Sequence, residues 1–481
     1  MPVNYLHKIL AVPRATSNCE PADPSNTITD RLNTLLNSSG SGFVLSLCPS
    51  TQYFIQAPIL FAAPNQEIST LGHPTDGTRA VLVVSGAVTN GTGQTTAVDG
   101  TCANCDGIIL RNIQINGTRA GAPAINGGAN IEMGGPNSGQ LIEYVHSYDP
   151  RSWSCLHVSE GTLNCNNATV QNNDIGPAGS DDFQQWADGI SVACSNSVVR
   201  NNMVNNPTDG GIVLFGSPGT LVENNTIWVE NNTLLGGINM VDVVPFSGDY
   251  KGTVVTNNTI MGGFATSPDT GSATDGTNNQ DVIIKIGIAI GPRTWFGNEY
   301  LNNVSTGGTV LNNKLTGAFS YGIAISSATN FTVENNALVG NTSFIGARGP
   351  NCTTGDPTPS PAAFVIDINN TAQSTTQSNF LDNTNGDALT CVLPPAGGDY
   401  WPFGGNPSSS SSPTSPEPST SSHSSTGKIV GIVLGVILGI LLVAFVAWYI
   451  RRWAVKRADD RNHLKATRHN QKGYIRSTEQ F

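Results

Sequence analysis

A six-residue pattern recurs six times along this sequence and restricts the fold more than any other feature: Val, any residue, Asn, Asn, any residue, aliphatic residue. The copies begin at Val170, Val199, Val222, Val255, Val310 and Val333, and a looser copy spans Leu110 to Ile115. Successive copies are 29, 23, 33, 55 and 23 residues apart. Units of this length cannot bury a core alone, but they can stack on one another.

A second pattern, Gly followed by alternating aliphatic residues, precedes most of these copies. It occurs at Gly189–Val192, Gly211–Leu214, Gly237–Met240, Gly287–Ile290 and Gly322–Ile325. Such alternation is typical of half-buried strands. The intervals are too short for a strand, a crossover helix and a second strand, and too irregular for propeller blades. The sequence therefore predicts a parallel β-helix whose coils stack about 4.8 Å apart.

With these repeats, roughly residues 25–395 resemble the right-handed parallel β-helix proteins of the pectin-lyase-like superfold. The resemblance implies an N-terminal helix that caps the open end of the stack, and Ile28, Leu32, Leu35 and Leu36 supply one apolar helical face. The predicted fold class is all-β: a right-handed parallel β-helix solenoid with an N-terminal capping helix, plus one C-terminal transmembrane helix. The paired Asn residues are interpreted as a structural ladder, in which stacked amides satisfy one another.

A membrane span is predicted from Ile429 to Ile450, which is 22 residues without charge or proline. Arg451, Arg452, Lys456 and Arg457 follow it, so the positive-inside rule places the C-terminus in the cytoplasm and the remainder outside. Gly431, Gly435 and Gly439 repeat every fourth residue on one helix face, which would allow a homodimer within the bilayer. This layout resembles that of membrane-anchored fungal surface proteins.

The chain divides into six predicted segments. Residues 1–18 form a poor or truncated signal region, because Tyr5–Val12 is too short and is interrupted by charge. Residues 404–428 form a stalk; positions 408–426 contain 14 Ser or Thr among 19 residues. The others are the N-terminal cap and first coils (19–80), the β-helix (81–403), the span (429–450) and a basic cytoplasmic tail (451–481).

The charge distribution excludes nucleic acid as a partner. Only 12% of the residues are charged, and the net charge is −11. The last 31 residues hold nine basic and three acidic side chains, which leaves 14 basic against 31 acidic in residues 1–450. A surface this acidic lacks the basic patch that phosphates require.

Glycosylation and disulfide bonds are predicted for the part of the chain before the stalk. Twelve sequons lie there, at Asn37, Asn90, Asn116, Asn167, Asn224, Asn231, Asn257, Asn303, Asn330, Asn341, Asn351 and Asn369. All nine cysteines lie there too, which fits an oxidising compartment. Proximity in sequence favours Cys19–Cys48, Cys102–Cys105, Cys155–Cys165 and Cys352–Cys391, leaving Cys194 over, although sequence alone does not determine connectivity.

Four carboxylates are the candidate catalytic residues, because hydrolysis of a glycosidic bond needs an acid and a base close together. Asp181 and Asp182 are adjacent and Asp188 follows them. Asp209 precedes Gly210-Gly211-Ile212 much as Asp188 precedes Gly189-Ile190, so the two carboxylates are expected on neighbouring coils about 5 Å apart. The alternative is that Asp before Gly reflects ordinary turn chemistry.

A substrate groove is predicted beside these acids from His157, Trp186 and Asn239. Alternation along the repeated strand predicts one outward-facing row, which consists of His157, Ser191, Val213, Asn239, Ala289 and Ala324. Aromatic side chains that could stack on sugar rings are Trp153, Trp186, Phe215, Trp228 and Trp295. The apolar members of the row weaken the case for an extended catalytic face.

The superfold's polygalacturonase-like hydrolases carry Asn-Thr-Asp, paired Asp, Gly-His-Gly and Arg-Ile-Lys elements, and only Asp181-Asp182 has a counterpart here. A lyase would need calcium and a base such as Lys251, Lys285 or Arg293; otherwise no cofactor and no metal are predicted.

The predicted function is that of a single-pass cell-surface glycoprotein whose β-helix binds polysaccharide and cleaves it as a hydrolase or lyase. The alternative is a non-catalytic adhesin, wall-structural or wall-sensing protein.

Overall fold

The computed structural model describes residues 18–180, 182, 185–263, 265–266, 274–275, 282–297, 300, 302–344 and 360–390. Short parallel strands dominate these residues and are arranged as the faces of a solenoid. Each strand pairs with the corresponding strand of the next coil, so hydrogen bonds run along the solenoid axis. The predicted right-handed parallel β-helix is confirmed.

Three faces make up each complete coil, and we name them the first, second and third face. The first face is formed by strands Val44–Leu47, Glu67–Thr70, Ile109–Arg111, Leu141–Glu143, Thr169–Gln171, Val198–Arg200, Leu221–Glu223, Val254–Thr256, Ser305–Leu311, Ala328–Glu334, Thr371–Ala372 and Thr375–Thr376. The second face is formed by Gln52–Ile55, Ala80–Val84, Ile113–Asn116, His146–Tyr148, Asp174–Ile175, Met203–Asn205, Thr226–Trp228, Thr259–Met261, Lys314–Ile325 and Ala337–Phe344.

Strand Lys314–Ile325 continues from the second face into the third. The other strands of the third face are Ile59–Leu60, Val98–Asp99, Ile131–Gly134, Ser154–Ser159, Asp188–Val192, Gly210–Leu214, Leu234–Met240, Ile284–Ile290, Ala362–Asp367 and Leu381–Asn383. Two antiparallel strand pairs lie outside the three faces, Val88–Thr89 with Thr92–Gly93 and Ala265–Thr266 with Thr274–Asp275.

The repeated aliphatic residues form the core. The valines that open the Asn-Asn copies stack in register on the first face, and each is fully buried. The isoleucines after the repeated glycines form a second buried row on the third face, namely Ile190, Ile212, Ile238, Ile288 and Ile323. Each coil alone exposes these side chains, and stacking removes them from water, which provides the main driving force for the fold.

The two asparagines of each repeat have different roles. The first adopts a left-handed backbone, with φ between 55° and 58° in Asn201, Asn224, Asn257 and Asn312. Asparagine tolerates this conformation better than most residues, so it turns the chain between the first and second faces. The second is buried, and its amide bonds to the equivalent amide one coil away. This row, which we call the Asn ladder, consists of Asn173, Asn202, Asn225, Asn258, Asn313 and Asn336.

A short 3₁₀ turn at Ser25–Thr27 leads into helix α1, Ile28–Ser39. Ile28, Leu32 and Leu36 are buried against the first coil, and Leu35 packs at the margin of the same cluster. The predicted N-terminal helix is therefore confirmed. Its apolar face covers the open end of the core, which would otherwise lie in water.

The disulfide prediction is correct in part. Cys19–Cys48 and Cys102–Cys105 form as predicted. The predicted Cys155–Cys165 bond is wrong, because Cys165 pairs with Cys194 and Cys155 is a buried free thiol. Cys165 and Cys194 are 29 residues apart, the same separation as Asn173 and Asn202, so they lie one above the other on neighbouring coils. Cys352–Cys391 lies outside the described residues.

Among the described residues, no helix is both long and apolar enough to cross a membrane. The predicted span at 429–450, its glycines, the stalk and the tail lie outside these residues. Eleven of the predicted sequons lie within them, and the asparagine is exposed in every case except Asn116, which is half-buried. Asn351 lies outside the described residues. Glycosylation of the sequons remains a prediction.

Candidate functional site

The row predicted from strand alternation exists on the outer side of the third face. His157, Ser191, Val213, Asn239, Ala289 and Ala324 are successive register partners, one per coil. Asp99 and Glu132 extend the row toward the N-terminal end. The row therefore changes from acidic and polar at one end to apolar at the other.

The apolar end of this row is covered by other parts of the chain. Helix α2, Arg293–Phe296, follows strand Ile284–Ile290 and lays Trp295 over the outer surface. Leu389 and Val241 pack in the same apolar cluster as Ala289 and Ala324. These covering segments explain why Ala289 and Ala324 are buried although they point away from the main core.

A cavity of about 220 Å³ lies where this cover meets the polar end of the row. Its lining residues come from four coil segments and from α2, and we call it the acidic cavity. They are Trp153, Asp188, Asp209, Val213, Phe215, Asn239, Val241, Asp242, Trp295 and Phe296. Three carboxylates and four aromatic rings therefore surround one small space.

Asp188 is the most deeply placed of the three acids, with 6% of its surface exposed. Its Oδ1 accepts the backbone N–H of Gly210 at 2.8 Å, and its Oδ2 accepts the hydroxyl of Ser191 at 2.9 Å. The Ser191 hydroxyl lies 3.0 Å from that of Ser154, the register partner of Asp188 on the preceding coil. These contacts hold the Asp188 carboxyl in one orientation.

Asp188 and Asp209 occupy neighbouring coils, as predicted, but with an offset of one residue. The register Ile190–Ile212 places Asp188 beside Gly210, not beside Asp209. Asp209 lies one residue before the strand and is half-buried. Gly210 is required here, because a Cβ at this position would lie 3.0 Å from Asp188 Oδ1 and 2.2 Å from a methyl carbon of Val213.

Burial raises the pKa of all three carboxyl groups, and the charge of a neighbouring carboxylate adds to this effect in Asp188 and Asp242. Burial raises the pKa of Asp209 to about 6. Burial, together with the charge of Asp209, raises the pKa of Asp242 to about 7. For Asp188, burial and then the charges of Asp209 and Asp242 raise the pKa well above its usual range. Near neutral pH the cluster therefore holds both protonated and ionised carboxyls, a property typical of acid–base sites.

The other predicted site residues lie around the cavity or apart from it. Of the predicted groove, only Asn239 lines it. His157 contacts two lining rings, with ring centroids 5.0 Å from Trp153 and 6.3 Å from Phe215, and its Nδ1 lies 2.8 Å from Glu132 Oε2. Trp186 packs against the apolar cluster that contains Trp295.

Of the four predicted catalytic acids, one does not join the cluster and one lies outside the described residues. Asp182 is exposed and does not line the cavity, and Asp181 lies outside the described residues. Trp228, one of the predicted stacking residues, belongs to the second face. Of the other predicted aromatics, Trp153, Phe215 and Trp295 line the cavity.

Sequence reasoning missed Asp242, which completes the acid cluster. It lies just after strand Leu234–Met240, between Val241 and Val243, where no repeat marks it. No local signal distinguishes this aspartate from a solvated loop residue, since only the stacking of coils brings it beside Asp209. Within the described ranges, no group of three or more His, Cys, Asp and Glu side chains is arranged to hold a metal ion.

Comparison with known proteins agrees with this architecture. A family model described as a right-handed beta helix region matches residues 137–338. No curated protein sequence matches the chain.

Three solved structures of similar fold illustrate the range of proteins that the chain resembles. DFA-IIIase from Arthrobacter chlorophenolicus is 12% identical, with 74% of this chain and 92% of that chain covered and a TM-score of 0.46. The surface adhesin PfbA of Streptococcus pneumoniae is 12% identical, with coverages of 74% and 85% and a TM-score of 0.42. The mannuronan C-5 epimerase AlgE6 A-module of Azotobacter vinelandii is 12% identical, with coverages of 73% and 95% and a TM-score of 0.39. At these scores the likeness does not bear on the chemistry of the site.

Proposed function

We propose that this right-handed parallel β-helix protein binds a polysaccharide at the acidic cavity and cleaves it by acid–base hydrolysis. The observation that carries the proposal is the convergence of Asp188, Asp209 and Asp242 in one aromatic-lined cavity on the outer side of the third face. Hydrolysis of a glycosidic bond needs one protonated and one ionised carboxyl group within reach of the same bond. Trp153 and Phe215 offer rings against which a sugar can pack.

The pKa values of the two more exposed acids, Asp242 and Asp209, support separate roles for them. Asp242, whose pKa is raised to about 7, is the general acid and transfers its proton to the glycosidic oxygen as the carbon–oxygen bond breaks. Asp209, whose pKa is raised to about 6, remains ionised more readily and takes a proton from the water that adds to the anomeric carbon. The proton then returns to Asp242 through solvent, so the step balances without a cofactor.

Asp188 is a positioning residue in this proposal. Its two oxygens are engaged by Ser191 and Gly210, and little of its surface faces the cavity. The charge of Asp209 contributes to the raised pKa of Asp188, so Asp188 stays protonated while Asp209 ionises. A neutral Asp188 leaves Asp209 free to carry the negative charge.

The predicted location of this activity is the cell surface. In this proposal the β-helix lies outside the cell, anchored through residues 429–450, with the C-terminus in the cytoplasm. Three disulfides and the exposure of most sequons support passage through an oxidising secretory pathway. Glycosidase treatment of the full chain and protease treatment of intact cells test glycosylation and orientation separately.

The catalytic test uses the full chain, purified in detergent, against neutral glucans, chitin-type polymers and polyuronides, with and without calcium. Release of reducing ends is expected from one polymer class. Asp209→Asn and Asp242→Asn should each lower the rate by about 100-fold or more, since a positioned acid or base contributes about that much.

Asp182→Asn is the matched control, because it removes the same charge from an exposed position outside the cavity. Equal losses in all three variants would contradict the assigned roles. Unsaturated products that appear only with calcium would indicate that the protein is a lyase and not a hydrolase. Polymer binding by a folded wild-type protein without any product would instead support the non-catalytic adhesin.

A further inference from the structure

Asn239 differs from the other buried asparagines that repeat along the solenoid. It lies on the outer row of the third face, between Val213 and Ala289, and is 1% exposed. Its side-chain oxygen is buried and has no hydrogen-bond partner among the described residues. Asn202 and Asn225 of the Asn ladder, by contrast, are fully paired. A buried amide oxygen without a partner is unfavourable, and because Asn239 lines the acidic cavity, a ligand in that cavity can supply the missing donor.

Two glycines make room for this amide. A Cβ on Gly210 would lie 2.7 Å from Asn239 Nδ2 and 3.0 Å from Asp188 Oδ1. A Cβ on Gly236, the register partner of Gly210, would lie 2.0 Å from Asn239 Oδ1 and 2.5 Å from the Trp295 ring. The amide therefore lies near the Asp188 carboxyl and the Trp295 ring, in space that the two glycines leave open.

The remaining lining of the acidic cavity carries no positive charge. Among the described residues that line it, there is no Lys, Arg or His, while three are aspartates. A uronate carboxyl placed there would meet like charge without a compensating cation, which is costly at low dielectric. A hydroxyl group, in contrast, can donate to the amide oxygen or to a carboxylate.

The volume limits the ligand further. A drug-sized ligand occupies a pocket of about 300–1,000 Å³. The acidic cavity, which is partly open to solvent, has a volume of about 220 Å³. That space suits one sugar ring rather than several, and the rings of Trp153, Phe215, Trp295 and Phe296 line it.

From these observations we infer that the acidic cavity recognises a single uncharged sugar ring, and that the Asn239 amide is the specificity-determining group, hydrogen-bonded to a ring hydroxyl. This inference rests on the proposed function and names its substrate class. Rotation of the amide about its last side-chain bond exchanges the positions of Oδ1 and Nδ2. The amide can therefore accept a hydrogen bond from a sugar hydroxyl or donate one to it. The unpaired amide is then the consequence of a site built for a ligand.

The test compares the full chain with Asn239→Val, which matches the apolar neighbours in the row. The probes are neutral gluco- and chito-oligosaccharides, their uronate counterparts and glucosamine oligomers. The wild type should bind or cleave a neutral probe at least about tenfold better than the uronate. Asn239→Val should lose about tenfold or more on the neutral probe, whereas its melting temperature should be unchanged or higher, because an unpaired polar group has been removed.

The melting temperature separates recognition from a merely structural role. If Asn239 were only structural, Asn239→Val would lower the melting temperature and leave the relative affinities for the probes unchanged.

Asn239→Asp adds a charge in the cavity, and Asn201→Asp, on an exposed turn, is its control. Asn239→Asp should weaken neutral-sugar binding, and the control should not. Preference for a uronate or for glucosamine oligomers overturns the inference while leaving the proposed function intact. A folded protein that neither binds nor cleaves any probe overturns both.

Discussion

The side-chain oxygen of Asn225 accepts two hydrogen bonds from Asn202 on the preceding coil, one from the backbone N–H at 3.0 Å and one from Nδ2 at 2.9 Å. Asn225 Nδ2 in turn donates to the backbone oxygen of Val199 and to the side chain of Asn258, each at 2.9 Å. Each amide in the Asn ladder therefore depends on the coils before and after it. The ladder satisfies polar groups that coil stacking would otherwise bury unpaired.

Replacing Asn225 by Ala should lower the free energy of unfolding by about 2–4 kcal/mol, because it leaves buried groups of Asn202 unpaired and removes two donor bonds. Asn201→Gly, at the exposed first position of a neighbouring pair, is the matched control. Glycine adopts its positive φ without strain, so the change should stay within about 0.5 kcal/mol. Urea denaturation followed by circular dichroism measures both, and equal losses would contradict the division of roles within the pair.

The raised carboxyl pKa values predict how stability depends on pH. Asp209 and Asp242 bind protons more tightly in the folded protein than in the unfolded chain, where the Asp pKa lies near 3.8. The folded state is therefore favoured by acid, and stability should fall as pH rises from about 4 to about 7. Melting temperatures across this range measure the trend. Asp242→Asn should flatten the upper part of the curve, whereas Asp182→Asn should leave it unchanged.

The same pKa values predict a bell-shaped pH profile for activity. Asp209 must be ionised, so the rate should rise through about pH 6, and Asp242 must be protonated, so it should fall through about pH 7. Initial rates on the polymer found active in the panel test give the profile. A rate that continues to increase above pH 8 would show that Asp242 is not the acid.

An ion pair between Arg293 of α2 and Asp387 should affect substrate binding more than stability. The guanidinium donates to both carboxylate oxygens at 2.7 and 2.6 Å, and Leu389 N–H donates to the backbone oxygen of Thr294. Asp387→Asn should cost about 1 kcal/mol or less, since both partners are partly exposed. KM should nevertheless rise several-fold with kcat little changed, because α2 carries the Trp295 wall of the cavity.

Glu20→Gln is the control for that variant. It removes a similar partly exposed pair with Arg31 at the opposite end of the solenoid, far along the chain from the cavity. Its effect on stability should be comparable and its KM unchanged. A KM change in both variants would mean that Asp387→Asn acts through the stability of the whole solenoid and not through the position of α2.

The Cys165–Cys194 bond should contribute about 2–4 kcal/mol, the usual range for a disulfide that closes a loop of this kind. Cys194→Ser is expected to lower stability by that amount, and Cys155→Ala by less. Peptide mapping under non-reducing conditions should link the Cys165 peptide to that of Cys194. The buried Cys155 thiol, whose pKa is raised by desolvation, should resist alkylation until the protein unfolds.

Much of the architecture follows from the sequence alone because the fold is built from local, repeated interactions. Val222 and Ile227 flank Asn224-Asn225, so strand, turn and ladder amide are all specified within six residues. Helix α1 is predicted for the same reason, since its apolar spacing is local. The row from His157 to Asn239 also follows, because alternation in a strand determines which side chains share a side.

Only the tertiary structure determines the acid cluster and the Cys165–Cys194 disulfide, because both depend on the number of residues in each coil. Cys165 meets Cys194 rather than Cys155 because a full coil separates them, and the 29-residue spacing shared with Asn173 and Asn202 was the available signal. Loop lengths that no repeat encodes determine three features of the cavity. These are the one-residue offset of Asp209, the position of Asp242 beside it, and the placement of Trp295 over the outer row. The sequence alone thus determines the scaffold through its period, whereas the geometry of the cavity arises only when irregular loops meet on stacked coils.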